Sequence, residues 1–371
     1  MSDYNKKILF LNVILLLGSA LFSQVYAYHI GRTDVGLRAA FKENYDDNIT
    51  FVKDNKKEGT SNILSLGLYA DYEDKRSILK IDGNAYHQIY NNHRKYNNTS
   101  EDFSLDFSSD ISKRQSISLK DSFIHAYEPR SFEQEFGRIG GRYGYYQNRL
   151  DFAYKLDLSR RLIAKAKYVN TLDDFSTSDL SDSYLNKGTV AFEYALGELL
   201  TFLSSYDFSH RDFSPGGSAS ANTLSSGLRK LLNKRTYIEL QAGVDFIEST
   251  FSSDYTKPRY SVAFSNEVDK NSTAIVAFLR EYSTNPYAQD IFDFYQATAN
   301  FKRQLSKKIS CSLTGLWGRG KYLILDITDR FIGGRVDLTY EPREGVRFNL
   351  GYDYSRSDSN VSACLIRVRA I

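Results

Sequence analysis

Cysteine, proline and tryptophan are scarce in this 371-residue chain, which holds 2, 5 and 1 of them. Two cysteines cannot build a disulfide framework or a cysteine-rich metal site. Charge of one sign is missing as well. Lys and Arg number 48 against 45 Asp and Glu, a formal net charge of +3, so no strong field points to nucleic acid. A hydrophobic fraction of 42% with 25% charged residues excludes both a helical membrane protein and a disordered chain. What the chain has in excess is tyrosine and phenylalanine, 28 and 24.

The N-terminus reads as an export address. Lys6 and Lys7 precede an apolar run from Ile8 to Phe22, broken by Asn12, Gly18 and Ser19. Val25-Tyr26-Ala27 then places small residues where a signal peptidase needs them, and the run is short for a membrane span. Residues 1–27 are the expected signal peptide and 28–371 the expected mature protein, with a retained anchor as the alternative. No lipid-acceptor cysteine follows the run.

Beyond the signal, no stretch sustains a helical period, and period-two alternation recurs instead. Val35, Leu37, Ala39 and Phe41 alternate with Gly36, Arg38, Ala40 and Lys42. Leu64, Leu66, Leu68 and Ala70 alternate with Ser65, Gly67, Tyr69 and Asp71, and the pattern runs on to Val346-Phe348-Leu350-Tyr352. About 18 such segments can be marked, the weakest near Leu224–Leu232 and Thr273–Thr284. The segments are joined alternately by short polar turns, such as Glu73–Arg76, and by longer polar stretches, such as Asp46–Thr60, Ser214–Ala221 and Tyr322–Asp329. That alternation predicts a transmembrane antiparallel up-and-down β-barrel with short periplasmic turns and longer extracellular loops. Closure follows from the bilayer, which leaves an open sheet edge unsatisfied. A soluble solenoid or sandwich would also alternate, but without regularly paired long and short connections. The last expected strand carries Cys364, Ile366 and Val368 on its apolar face, and Ile371 stands where a barrel often ends in an aromatic. Outer-membrane lipid, lipopolysaccharide and the barrel-assembly machinery are the partners this fold implies.

The polar faces would then line the lumen. Candidates are Arg38, Lys80, Asp82, Tyr86, Asp106, Lys120, Lys155, Lys167, Glu239, Asp245, Arg335, Asp337, Arg347 and Arg367. Mixed charge suits a wall that hydrogen-bonds polar solutes without trapping one ion class. Tyr69, Tyr86 and Tyr90 share the polar phase and could stack on sugar faces. The blander reading is that opposed charges pair across strands and hold the wall together.

No catalytic, metal or cofactor-binding set emerges. His210 has Ser209, Asp207 and Asp212 near it, but Ser209 and His210 point to opposite faces of a strand. Asp46-Asp47 is explained by a solvated turn. Cys311 and Cys364 both fall in apolar phases, as free lipid-facing thiols, with a disulfide as the alternative. The chain is not expected to be an enzyme.

Two short motifs carry a family likeness. Tyr45-Asp46-Asp47-Asn48-Ile49 closes the first strand, and Leu119-Lys120-Asp121-Ser122-Phe123 is followed by Pro129-Arg130. With the signal and strand layout, they resemble the β-barrel porins associated with exopolysaccharide (Wzy-type) and exosortase gene clusters. The resemblance implies an outer-membrane exit for exopolysaccharide, acting with a periplasmic polysaccharide-export protein, and brings no catalytic residues. The competing functions are a general or substrate-selective diffusion porin and a structural or adhesive barrel with a closed lumen. Loop lengths favour a fairly open mouth. The longest candidate plug is Glu128–Arg142, whose Phe132, Phe136 and Ile139 could fold inward.

Overall fold

The computed structural model describes residues 26–360, apart from 54, 130–135, 139, 288 and 344. The described chain is one antiparallel sheet of 18 strands. They are β1 (Tyr26–Ile30), β2 (Thr33–Asp46), β3 (Gly59–Glu73), β4 (Ser77–Tyr90), β5 (Asn98–Ser112) and β6 (Gln115–Ala126). Then come β7 (Tyr145–Asp157), β8 (Leu162–Phe175), β9 (Asp182–Ala195), β10 (Leu200–Ser214), β11 (Ser218–Asn233) and β12 (Thr236–Ser249). The chain continues through β13 (Tyr255–Asp269), β14 (Ser272–Asn285), β15 (Asp290–Ser306), β16 (Ile309–Tyr322), β17 (Ile327–Arg343) and β18 (Val346–Ser359). Each strand pairs with the next in sequence, which is the up-and-down order of a barrel.

The two faces of the sheet invert the arrangement of a water-soluble protein. Leu64, Leu66 and Leu68 stand 52%, 70% and 62% exposed on one face of β3. Leu240 and Phe246 of β12 do the same beside Leu224 and Leu228 of β11. So much uncovered apolar surface calls for a hydrocarbon surrounding. The opposite face carries the charged rows. Because registered neighbours share a face, one phase error would have turned carboxylates into lipid on every strand.

The total of 18 agrees with the sequence reading, but its members differ. Tyr26–Ile30 is strand, so it begins two residues ahead of the expected cleavage after Ala27. The strand expected around Cys364 lies outside the described residues, as do the apolar run of the signal and Arg367. The two weakest segments are strands β11 and β14.

Several long connections are shorter than the sequence suggested. Ser214–Ala221 shrinks to residues 215–217, and Tyr322–Asp329 to 323–326. Polar strand ends continue their ladder hydrogen bonds above the apolar belt, and polarity alone had marked them as loop. β15 and β17 reach 17 residues, beyond the roughly 9–11 that a tilted strand needs to cross a bilayer.

Candidate functional site

Along the inward face, charges pair mostly with the next strand. Arg38 meets Asp82 and lies 5.2 Å from the Tyr69 ring. Lys80 is registered between Asp71 and Asp106, and Asp106 has Lys120 at 3.6 Å. Tyr86 sits between Ser65 and Ser100. Lys155 and Lys167 reach Asp157 and Asp151 at 3.3 and 2.8 Å. Glu239 holds Arg229 at 2.7 Å, and Arg229 also faces Glu193 at 3.6 Å. Asp245, 2% exposed, accepts from Thr223 at 2.5 Å and faces Arg259 at 3.6 Å. Arg335 pairs with Asp353, Ser312 donates to Asp337 at 3.3 Å, and Arg347 meets Glu341 at 2.5 Å. Most of these pairs are half-exposed, and each contributes about 0–1 kcal/mol to stability. Their larger effect is to leave a wall of alternating sign that presents hydrogen-bonding groups at many heights.

The outer end is not open as the loop lengths had suggested. In the connection from β6 to β7, residues 127–144, Phe136 and Gly137 turn into the barrel and Arg142 lies at its near wall. Phe136 packs on Phe292, Phe294 and Phe331, with ring centroids 5.3, 5.8 and 5.9 Å away. Those rings belong to β15 and β17, nine to eleven strands from β6 and so on the far wall. Phe136 has room because Gly318 faces it from β16, and Gly320 makes the same room for Phe292. A Cβ on Gly318 would stand 2.6 Å from the Phe136 ring, and one on Gly320 would strike Phe292. Tyr322 Oη and Asn285 Nδ2 donate to the Gly137 carbonyl at 2.6 and 2.7 Å. Gly137 has φ +77°, where an L side chain is strained.

The other end of the segment is clamped to the near wall. Arg142, largely buried, donates to the Ile49 carbonyl, Tyr90 Oη, the Tyr96 carbonyl and Glu128 at 3.0–3.2 Å. Tyr90 in turn donates to Glu128 at 3.0 Å and is 2% exposed. Tyr90 is therefore a strut and not an open sugar platform. Of the expected plug residues, Phe136 turns inward, while Phe132 and Ile139 lie outside the described residues.

A second element joins it. β13 and β14 are registered only as far as Tyr260 and Arg280, whereas β14 and β15 stay paired to Asn285 and Asp290. The hairpin tip thus leaves the wall. Tyr287 at the tip lies 6.3 Å from Tyr143 and 5.4 Å from Phe175, ring to ring. Thr284 receives Arg211 Nε at 3.1 Å, and Arg211 is also bound to Asp173 at 2.8 Å. Burial pushes the Tyr287 hydroxyl up to about 12, and burial also raises Tyr143, against the opposing pull of the Arg138 guanidinium. Both phenols stay neutral over the physiological range.

The histidine set was resolved differently from the sequence reading. His210 Nδ1 lies 2.8 Å from Ser220 Oγ, not Ser209, and Nε2 lies 3.1 Å from Asp212. The order imitates a nucleophile, base and orienting acid. However, Ser220 is registered to His210 on one side and Glu248 on the other, so the local backbone N–H groups serve the sheet. No donor pair is free there to hold an oxyanion. Cys311 is an unpaired, half-buried thiol on the apolar phase of β16, and Cys364 lies outside the described residues. Among the described residues, no three of His, Cys, Asp and Glu group as a metal site.

Sequence reasoning missed Arg142, Tyr287, Asn285, Tyr322 and the two glycines. The glycines left a faint signal, since Gly318 and Gly320 occupy successive inward positions where a wall side chain belongs. The motif Tyr45–Ile49 gains a physical role, because Ile49 is fully buried and its carbonyl holds Arg142. Asp46 Oδ1 shapes that turn by accepting from the Asn48 amide at 2.7 Å.

No protein-family model matches the chain, and no curated protein sequence does. Among solved structures, the FrpB iron transporter from Neisseria meningitidis (F3-3 variant) is similar at TM-score 0.46 and 8% identity. That match covers 87% of this chain and 62% of FrpB, so the chain spans about three fifths of the length of that transporter. The siderophore receptor PirA from Acinetobacter baumannii gives TM-score 0.46 and 8% identity over 90% of this chain and 74% of its own. OccAB3 from the same organism gives 0.43 and 10% over 89% and 94%.

Proposed function

We propose that this chain is a porin-like channel of the outer membrane, narrowed at its outer mouth by the Phe136–Gly137 and Arg142 anchors of the β6–β7 connection and by the β14–β15 tip. The observation that carries the reading is the inward wall of paired, alternating charge beneath those two interlocked elements. A wall of this kind replaces water around a polar solute while offering no uniform field to hold one ion class. Exopolysaccharide leaving the periplasm, delivered by a periplasmic export protein, is the proposed cargo. Support for the cargo is the likeness of Tyr45–Ile49 and Leu119–Phe123 to the exopolysaccharide-associated porins, and Ile49 of the first motif anchors the mouth segment. Simple diffusion of small solutes is the competing reading, favoured by the docked segment, which a polymer must displace.

The test is planar-bilayer conductance of the refolded full-length protein, with and without exopolysaccharide on each side. One-sided block of a steady conductance supports export. Conductance that polymer never affects leaves the diffusion porin. A deletion strain that keeps its surface polymer would remove export from consideration.

A further inference from the structure

One outward-facing row interrupts the apolar belt with arginines. Across β13 to β18 the registered positions are Tyr260, Arg280, Tyr295, Arg319, Arg330 and Asp358. Arg319 and Arg330 stand directly opposite each other, both exposed. Like charges in that relation repel. Among the described residues neither has a carboxylate within ion-pair distance. The one acidic member of the row, Asp358, is taken by Arg356 at 3.0 Å. Lys321, the next residue on the same face of β16, is taken by Asp326 at 2.5 Å and is registered to Asp293, so it adds no free cation.

The row lies at the upper border of the belt. From Tyr340 to Arg330 along β17 there are ten residue rises, roughly 33 Å at about 3.3 Å each. A strand tilt of about 40° brings that to roughly 25 Å, the height of an apolar belt in an outer-membrane barrel. Elsewhere the corresponding outward positions near the outer strand ends carry acids: Glu43, Glu101, Asp121 and Glu248. The basic border is therefore confined to one side. Below it the wall is shallow. Ala299, Gly315 and Gly334 are registered side by side, and a Cβ on Gly315 would meet nothing within 4 Å. Trp317 and Ile332 stand between that hollow and the arginines.

We propose that Arg319 and Arg330 bind the phosphorylated headgroup of an outer-leaflet glycolipid, with an acyl chain lying over Gly315 and Gly334. The proposal rests on the outer-membrane reading above. A phosphate between the two guanidiniums removes their repulsion and accepts planar, charge-assisted hydrogen bonds from both. The hollow below takes a chain that a side chain would otherwise displace.

The experiment compares the full-length wild type with Arg319→Gln/Arg330→Gln, purified in mild detergent. Bisphosphorylated lipid A, the same lipid after phosphatase treatment, and inorganic phosphate are added to each. Binding is followed by native mass spectrometry. The wild type should hold the phosphorylated lipid and release the dephosphorylated one, with inorganic phosphate a poor competitor. The double variant should bind the phosphorylated lipid roughly tenfold or more weakly. Gly315→Phe, which keeps the charges and fills the hollow, should weaken binding as well. Equal binding by wild type and double variant, or indifference to the phosphates, overturns the site. Displacement by inorganic phosphate alone assigns the arginines to free anions and also overturns it. Heat-modifiable gel mobility reports folding of each variant. Conductance reports the channel separately, so a silent bilayer with intact lipid binding would count against the channel alone.

Discussion

Phe136→Ala isolates the apolar contact of the mouth segment with the far wall and leaves the two hydrogen bonds to the Gly137 carbonyl in place. The ring meets three phenylalanines, and each such pair contributes about 0.5–1.5 kcal/mol beyond the apolar area it covers. Truncating a fully buried Phe costs about 3–5 kcal/mol. Phe136 is half-buried, so roughly 2–3 kcal/mol is the relevant range. At 1.4 kcal/mol per factor of ten, the ratio of docked to released segment falls roughly 30- to 140-fold. The Arg142 clamp is untouched, so the segment should swing away from β15–β17 about its other end. Single-channel recording of the refolded full-length protein should show a larger conductance occupied far more often than in wild type. Gly318→Leu attacks the same contact from the wall, since its Cβ alone would stand 2.6 Å from the ring. It should reproduce the Phe136→Ala trace without removing any apolar atom of the segment. Conductance histograms unchanged in both variants would refute the view that this segment narrows the pathway.

Three further outcomes follow from the same interlock. Gly137→Ala places a Cβ at positive φ and 3.1 Å from Asn285 Nδ2, costing about 1–2 kcal/mol for the backbone alone; proteolysis within 127–144 should become faster while the barrel stays resistant. Arg142→Met strands Glu128 and Tyr90 among buried groups and should cost roughly 2–4 kcal/mol, read as an earlier heat-modifiability transition; adding Glu128→Leu should recover part of the loss. Raising the pH should leave conductance flat from about 5 to 9, because the Tyr287 hydroxyl titrates near 12 when docked and near 10 when released. Docking is then fully favoured below pH 10 and weakens as pH climbs towards 12, so conductance should rise only there.

The barrel was legible because a single physical rule governs every strand. A residue that faces hydrocarbon must be apolar, and its chain neighbours must face the other way, so the phase repeats from Val35 to Tyr354 with few exceptions. Segments of small or polar residues such as Leu224–Leu232 were weak only because Ser225, Ser226 and Gly227 dilute the contrast; pairing on both sides still fixes them as β11. Strand ends were read too short for the same reason. Above the belt both faces meet water, so alternation fades while the ladder goes on.

The mouth was hidden because its contacts join residues remote in sequence, with no period to link them. Gly137 answers to Tyr322 and Asn285, and Arg142 answers to Ile49 and Tyr90. Loop length alone argued for openness, but length does not decide whether a loop folds in; an anchor at each end does. Those anchors differ in kind. At the far wall an apolar ring sits over Gly318, and at the near wall a buried guanidinium is saturated with acceptors. The far anchor can yield by exchanging one aromatic face for another and two neutral hydrogen bonds for water, whereas releasing Arg142 removes the one cation that Glu128 and Tyr90 share among the described residues. If the channel opens for a solute, the motion should therefore begin at Phe136 and leave Arg142 in place. Cross-linking supplies the check: a disulfide tying residue 136 to position 318 should abolish opening, while one tying 142 to position 49 should leave it intact. The reverse pattern would place the hinge at the wrong wall.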